Sequence, residues 1–514
     1  MSSSDSRTAT TTFFDRDAAK AADREAGRDA LRQRRVLATV CMASATMPMV
    51  FTGAAVALGG IADDLVASPA ALAWVTNAFM LAFGGFMLAA GALADRIGRR
   101  RVFRAGALLF LIASALLPVA QAMWAFNVLR GLQGLAGAAI LSSGAALLAQ
   151  EFDGPARTRA FSWLGTSFGI GLVLGPISAG FVSTAFGWRA IFVLVMATIA
   201  IALFIGAGAI RESRDGQASP FDWAGAALFT TALSVLTWAV LHASERGWSD
   251  AGVVIGLVIS LMLFIVFARV EQRSPTPMLD LSLFRYRRFI GIQLLAAAPA
   301  YAFVVLLVML PIRFAGIEGL SASLTGWLIA ALSAPLLVLP LAAGRATRWC
   351  SPATLCGAGL LIAAAGLWWL SYAKGGVEAI PAMALIGIGI SGPWGLMDGL
   401  AVSVVPPQRA GMAAGIFSTV RVAGEGVALA VVGSTLTALI AARLPVEMQA
   451  AAPLLATGRL GEATAVHAAM PSGALVMAYE QAFSQLAQGL ALVTVMTAVV
   501  LLVLLRGAEV GGDH

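Results

Sequence analysis

The chain has 514 residues, 59% of them hydrophobic and only 12% charged, with a mean hydropathy of +0.86. A soluble protein of this length needs more polar surface, so the composition excludes a water-soluble globular enzyme and indicates an integral membrane protein. The net charge of +7 sits in loops between apolar runs, which excludes a nucleic-acid patch and reads as topology signals and lipid head-group contacts.

Residues 1–35 are polar and of mixed charge, ending in Arg32, Arg34 and Arg35. They are expected to form a cytoplasmic tail, helical from Asp17 and otherwise disordered. The first apolar run is too long for the apolar core of a cleavable signal peptide and is expected to stay as a helix. Runs of bilayer length follow near 36–58, 72–94, 102–121, 124–149, 160–184, 189–210, 223–242, 251–269, 290–312, 322–343, 352–373, 380–404, 411–440 and 480–505. The expected fold is therefore an all-α membrane protein of about fourteen transmembrane helices, with both ends on one side. Lys and Arg concentrate in the tail, in the loop at 95–104 and in Arg269–Arg288, which places both termini in the cytoplasm. The runs divide as six, two and six. Residues 36–210 form an N-terminal half, 211–289 a linker with two extra helices, 290–505 a C-terminal half and 506–514 a cytoplasmic tail. The apposed loop of about 441–479, on the outer side, reads as a short surface helix or a hairpin.

Between the second and third runs lies GALADRIGRRRVFRAG, Gly91–Gly106. It holds Gly91, Asp95, Arg96, Gly98, Arg99 and Arg100 in a dense glycine-broken basic pattern. Gly98 permits a turn that other residues resist, and Asp95 can hold Arg96 or Arg99. GRATRWC, Gly344–Cys350, echoes this loop at the matching place of the second half without the acid. The fourth run carries LRGLQGLAGAA with Arg130 and Gln133. A charge this deep in a membrane segment is functional by default, the alternative being a structural arginine bound to backbone carbonyls. The fifth run carries GTSFGIGLVLGPISAG, where Gly171, Gly175, Pro176 and Gly180 give a smooth packing face and a bend.

The Gly91 loop resembles the signature loop between the second and third helices of the major facilitator superfamily. The Arg130 and Gly171–Gly180 stretches resemble that superfamily's fourth-helix and antiporter motifs. GWRAIF (Gly187–Phe192), ALGGIADDL near Ala57 and PTPMLDLSLF near Pro275 extend the resemblance to the fourteen-helix drug:proton antiporters over nearly the whole chain. The resemblance implies two pseudo-symmetric six-helix halves, a role for Arg130 in proton coupling, and a gating role for the Gly91 loop. It also implies that the fifth-helix bend packs on the other half and limits leak. The first helix departs from the family pattern. Val50, Ala55 and Gly59 stand where an acid, an Asn and a Pro are usual, so a proton carrier must lie elsewhere.

Two deep acids remain, Asp398 in the twelfth run and Glu425 in the thirteenth. A carboxyl at the midplane suits proton exchange, with Glu425 the first choice and Asp398 the second. Arg130 and Arg421 would tune the acid or hold a substrate anion. Arg421 lies four residues from Glu425, on one helical face, so the alternative is a pair that merely neutralises itself. Asn77, Asn127, Gln133, Trp163, Gln293, Tyr301, Trp327 and Trp394 are candidates for lining a central cavity; the aromatic ones also read as interface anchors. Cys41, Cys350 and Cys356 have no disulfide or metal spacing, the three histidines have no ligand partners, and no phosphate-binding glycine loop occurs. No metal, cofactor or enzymatic constellation is expected.

The expected function is proton-coupled efflux of small lipophilic drugs or toxic compounds across the inner membrane by alternating access. The partners are a small-molecule substrate, protons and membrane lipids, with no nucleic acid, and a monomer suffices. The alternatives are an exporter of an anionic or neutral metabolite, and a membrane sensor that keeps the transporter fold without transport.

Overall fold

The structure is a computed structural model that describes residues 5–212, 222–274, 277, 279, 281–403, 410–466 and 471–505. Residues 213–221 of the linker, 275, 276, 278 and 280 of the Pro275 stretch, His467 and the tail from 506 lie outside the described residues.

The described residues fold into helices, with no strand among them. Fourteen helical runs are long and apolar enough to cross a membrane, from Gly27–Val56 to Ser472–Leu505. Each coincides with one of the apolar runs above, because in hydrocarbon a backbone must satisfy its own hydrogen bonds. An even number of crossings returns both termini to one face. That face is called proximal below and the opposite one distal.

The first group comprises α1 (Asp5–Val56), the short α2 (Leu58–Leu65), α3 (Pro69–Ile97), α4 (Arg99–Leu116), α5 (Met123–Glu151), α6 (Gly154–Phe186) and α7 (Arg189–Gly206). Helix α1 begins at Asp5, twelve residues before the expected Asp17, because Ala-rich, charge-bearing sequence propagates helix with no proline before Pro48. Its proximal part is docked rather than loose. Arg32 bonds Glu151 at 2.7 Å, and Arg35 donates to the carbonyls of Ile205 and Ala207. The family-like stretches at Ala57 and Gly187 meet at the distal end, where Asp64 accepts from Trp188 at 3.1 Å and pairs with Arg189.

Helices α8 (Trp223–Arg246) and α9 (Ala251–Arg273) follow. Asp222 and Asp250 cap them by accepting from Gly225 and Gly252 amides. The second group comprises α10 (Arg287–Pro299), α11 (Leu306–Pro311), α12 (Ala322–Ser333), α13 (Leu339–Ala346), α14 (Pro352–Leu370), α15 (Ile380–Ser403), α16 (Ala410–Ala441), α17 (Ala452–Ala456), α18 (Leu460–Val466) and α19 (Ser472–Leu505). Helices α10 and α11 belong to one crossing, Arg287–Ile317, interrupted by π turns at Ala300–Val304 and Ile312–Ile317 directly after Pro299 and Pro311. A proline withholds an amide and clashes with the preceding turn, and the wider π turn absorbs both.

The two groups meet through α3 on α16 and α6 on α12. The extra helix α8 packs into the α3–α16 seam, since Thr230 donates to the Gly85 carbonyl at 3.0 Å and Ser434 of α16 donates to the Val240 carbonyl at 2.6 Å. Helix α9 turns Val254, Ile255, Val258, Leu261, Met262 and Ile265 outward, the face hydrocarbon covers. The distal segment after α16 is neither a single helix nor a hairpin. It forms a 3₁₀ turn at Val446–Ala451, then α17 and α18, with Met448, Ala451, Ala452, Leu455 and Ala463 buried beneath it.

Candidate functional site

Small residues bring α5 against α3 so closely that Arg130 can reach the backbone of its neighbour. A Cβ on Gly134 would lie 2.9 Å from the Phe79 carbonyl carbon and 3.1 Å from its Cα. At this separation Arg130, with no exposed surface, donates from Nε to the Val75 carbonyl at 2.8 Å and from Nη1 to Gln133 Oε1 at 2.6 Å. Gln133 passes the chain on to Ser114 at 2.8 Å, and the guanidinium stacks 4.8 Å over the Phe79 ring. Nη2 has no partner. A buried cation is tolerated only with such company, and the two N–H groups of Nη2 are left buried without an acceptor. One turn away, Asn127 donates to the Ala71 carbonyl and Asn77 to the Ala73 carbonyl, each at 2.9 Å, and both leave Oδ1 without a donor.

The glycines of α6 serve two partners. Gly171 and Gly175 face α1 within the same group: a Cβ at Gly171 would meet Pro48 Cγ at 2.6 Å, and one at Gly175 the Met49 Cα at 3.0 Å. Gly180 faces α12 of the other group, where a Cβ would lie 3.1 Å from Ser323 Cα, and a Cβ on Gly326 of α12 would lie 2.9 Å from the Pro176 carbonyl carbon. The proline exposes a carbonyl region to the other group while the glycines behind it hold α1.

In the Gly91 loop, Gly98 adopts φ +119, a value other residues resist. Asp95 binds Arg99 at 2.9 Å, and Arg99 also donates to the Ala146 carbonyl of α5. Across the loop sits Glu212, which accepts from the Arg100 amide at 3.2 Å and pairs with Arg101 at 3.5 Å. Sequence reading missed this acid; its signal was an isolated carboxylate at the end of the sixth run. Gly91 approaches Ser142 only at ordinary distance, 3.7 Å from an added Cβ, so a close approach is not made there. Arg96 is exposed.

Helices α3 and α16 cross at Gly84. A Cβ there would lie 2.6 Å from the Ala423 nitrogen and 2.7 Å from its Cα. Glu425 lies two residues on, 9% exposed, with Gly426 against Met80 and open space beside Gly424. Among the described residues no side chain donates a hydrogen bond to it. Arg421, four residues away on the same helix, turns instead to Asp398 at 3.3 Å and stacks 5.6 Å over Phe417. The self-neutralising Arg421–Glu425 pair is therefore not formed, because Asp398 on α15, 66% exposed at its side chain, offers a wetter partner. Following the stripe of Glu425 up α16, Leu429 and Gly433 line a cavity on the distal side of the seam.

The remaining candidates scatter. Gln293 is buried with both amide atoms unpartnered. Tyr301 hydrogen-bonds Thr497 at 2.5 Å, and Trp394 packs on Phe303. Trp163 and Trp327 are 58% and 62% exposed and lie away from this cavity. The π turns flanking α11 are a second feature the sequence reading missed, though Pro299 and Pro311 in one apolar run signalled them. Among the described residues no cluster of His, Cys, Asp or Glu could hold a metal ion.

The model of the Major Facilitator Superfamily matches residues 39–429. The chain is 29% identical over 405 residues to multidrug resistance protein Stp of Mycobacterium tuberculosis, covering 77% of this chain and 75% of that one. It is 28% identical over 465 residues to multidrug efflux pump LfrA of Mycolicibacterium smegmatis, covering 89% and 91%. It is 31% identical over 414 residues to a probable actinorhodin transporter of Streptomyces coelicolor, covering 75% and 69%. Among solved structures, a bacterial homolog of the human lysosomal transporter Spinster, in an inward-facing and unoccupied conformation, superposes with a TM-score of 0.65 at 17% identity over 93% of this chain and 97% of that one. A peptide transporter of the POT type superposes with a TM-score of 0.62 at 14% identity, covering 91% and 95%. A glycine-sealed seam between two helical groups, fourteen crossings and a family match over most of the chain lead to one conclusion: this multi-pass membrane protein belongs to the Major Facilitator Superfamily and is a transporter rather than an enzyme.

Proposed function

We propose that the chain exports small, lipophilic drugs or toxic compounds across the inner membrane, driven by inward proton flow, as a monomer with both termini cytoplasmic. The relatives named as multidrug and antibiotic efflux proteins support the substrate class. The arginines clustered on the proximal face support the orientation. The two groups meet at mid-helix at Gly84–Ala423 and towards the distal ends at Gly180–Ser323 and Gly326–Pro176, while Asp398 and Trp163 stand exposed on the proximal side. The two distal contacts support the reading of a carrier closed on its distal side.

The observation that carries the coupling is Glu425, buried beside the crossing that must part when the distal end opens. Burying a carboxyl as the neutral acid costs far less than burying it charged. Parting the seam over Glu425 would expose the acid to the opposite compartment, the move a proton carrier needs. Asp398 holds Arg421 aside and is the second proton candidate. Arg130 shapes the polar interior of the first group, and Asp95 with its arginines sets the proximal gate.

The test is efflux from vesicles under an imposed pH gradient. Glu425→Gln is expected to abolish gradient-driven flux while leaving the unfolding temperature near that of the parent. A folded Glu425→Gln that still pumps, together with an Asp398→Asn that does not, reverses the two roles; pumping by both removes this proton route. A second reading, export of an anionic or neutral metabolite, is favoured by relatives named for actinorhodin transport and for tetracenomycin C resistance and export.

A further inference from the structure

On the distal side of the seam lies a cavity of about 60 Å³. Its walls are apolar, from Leu72 of α3, Leu241 of the extra helix α8, Met309 of α11 and Leu429 of α16. One polar group is left waiting in it. Asn77 is 2% exposed, its amide nitrogen is spent on the Ala73 carbonyl, and its Oδ1 accepts nothing. A buried acceptor without a donor is costly, and the cost is relieved by whatever brings an N–H or O–H to it.

The roof of the cavity is Pro453 and Ala456 of α17 with Thr457. Gly458 follows at φ +81, a left-handed turn that suits glycine, and redirects the chain. Arg459 then reaches to the other group and donates to the Ala67 carbonyl, between α2 and α3. Glu462 holds the guanidinium from behind, its Oε1 accepting from Nε at 2.6 Å. The same turn rests on the second group, since a Cβ on Gly316 would lie 2.5 Å from the Gly458 Cα. The roof is thus rooted in the second group, packs on α3 of the first through α17, and is hydrogen-bonded to the first by Arg459.

We propose that this cavity is a second ligand station, at the exit end of the transport path, and that the 446–466 segment is its roof, latched by Arg459 on the Ala67 carbonyl. The ligand class is an apolar compound bearing an amine or amide N–H, which Asn77 Oδ1 receives. In the closed state the space admits the donor-bearing edge of such a compound. A drug-sized molecule needs a pocket of about 300 Å³ or more, so the remainder forms as the roof lifts. The word exit rests on the export reading; the station and the latch do not.

The test places a cysteine at Ala73, which lines the cavity, in a chain whose Cys41, Cys350 and Cys356 are replaced by alanine and whose unfolding is checked. A membrane-impermeant maleimide is applied from the distal side. Arg459→Ala is expected to speed labelling about tenfold, the scale of one lost hydrogen bond to a charged group. Glu462→Gln, at a half-exposed position, loosens the same latch and should raise the rate less, which keeps the test decisive if Arg459→Ala fails to fold. Ethidium, which carries aromatic amine N–H groups, should slow the labelling more than tetraphenylphosphonium, which has none, and Asn77→Leu should erase that difference. Unchanged labelling in the folded latch variants overturns the latch. Absence of protection by ethidium, or equal protection by both cations in the parent, overturns the station. Flux is read separately: loss of efflux with latch and protection intact refutes the export reading alone.

Discussion

Replacing Gly84 by alanine should shift the transporter between its states without unfolding it. The added Cβ would lie 2.6 Å from the Ala423 nitrogen, 2.7 Å from its Cα and 2.9 Å from the Val422 carbonyl carbon. These are backbone atoms of another helix, so no side chain can swing aside and α3 must move away from α16. Overpacking of this kind costs about 1–3 kcal/mol. In the proposed alternating-access cycle the two groups part here when the distal end opens, so the cost falls on the distally closed state. With one decade per about 1.4 kcal/mol, the ratio of distally open to closed molecules should rise about 5- to 150-fold. Gly134→Ala is the control. Its Cβ would press on Phe79 at 2.9 Å, but inside the first group, where the penalty is the same in both states. Spin labels at Val119→Cys and Val377→Cys, both 67% exposed on the distal face and one in each group, report the separation by pulsed dipolar spectroscopy. Gly84→Ala should enlarge the long-distance population; Gly134→Ala should lower the unfolding temperature and leave the distances alone. An unchanged distribution in folded Gly84→Ala, or the same shift in both variants, would refute the seam as the moving contact.

Asp95→Asn should cut efflux about tenfold or more at normal expression, because its partly exposed pair with Arg99 is worth only about 0–1 kcal/mol of stability; flux at matched protein levels in vesicles checks it, and parental flux would deny the loop its gating role. Gly175→Leu should abolish transport and lower the unfolding temperature, since a branched side chain has no room against Met49 and Thr52 of α1. For Glu318, at the distal end of α11's crossing, burial raises the carboxyl's pKa above its ordinary value of 4.5, and Arg313 at 2.9 Å opposes this only in part. The folded state then binds the proton more tightly, so stability should be highest below the ordinary carboxylate range and fall as pH rises through the raised value. Glu318→Gln should flatten that slope in thermal unfolding followed against pH.

How much of this molecule was legible depends on how local each signal is. Hydropathy and length are properties of a single run, so all fourteen crossings could be read from sequence, as could the Gly98 turn, where the backbone itself demands glycine. The glycines of α6 announced close packing but not their partners. Which face meets α1 and which meets α12 depends on the rotation of α6 about its axis, set by contacts with helices far away in the chain. The same holds for Arg421, whose spacing points to Glu425 while the tertiary fold offers Asp398, and for Glu212, which reaches back over the Gly91 loop from more than a hundred residues away. Residence in a membrane, the number of crossings and the turns between them follow from each run of residues alone, because hydrocarbon acts on each segment independently. Which buried charges meet, which crossings seal the seam and where Arg459 finds Ala67 emerge on folding, because those choices arise from helices distant in sequence competing for the same space.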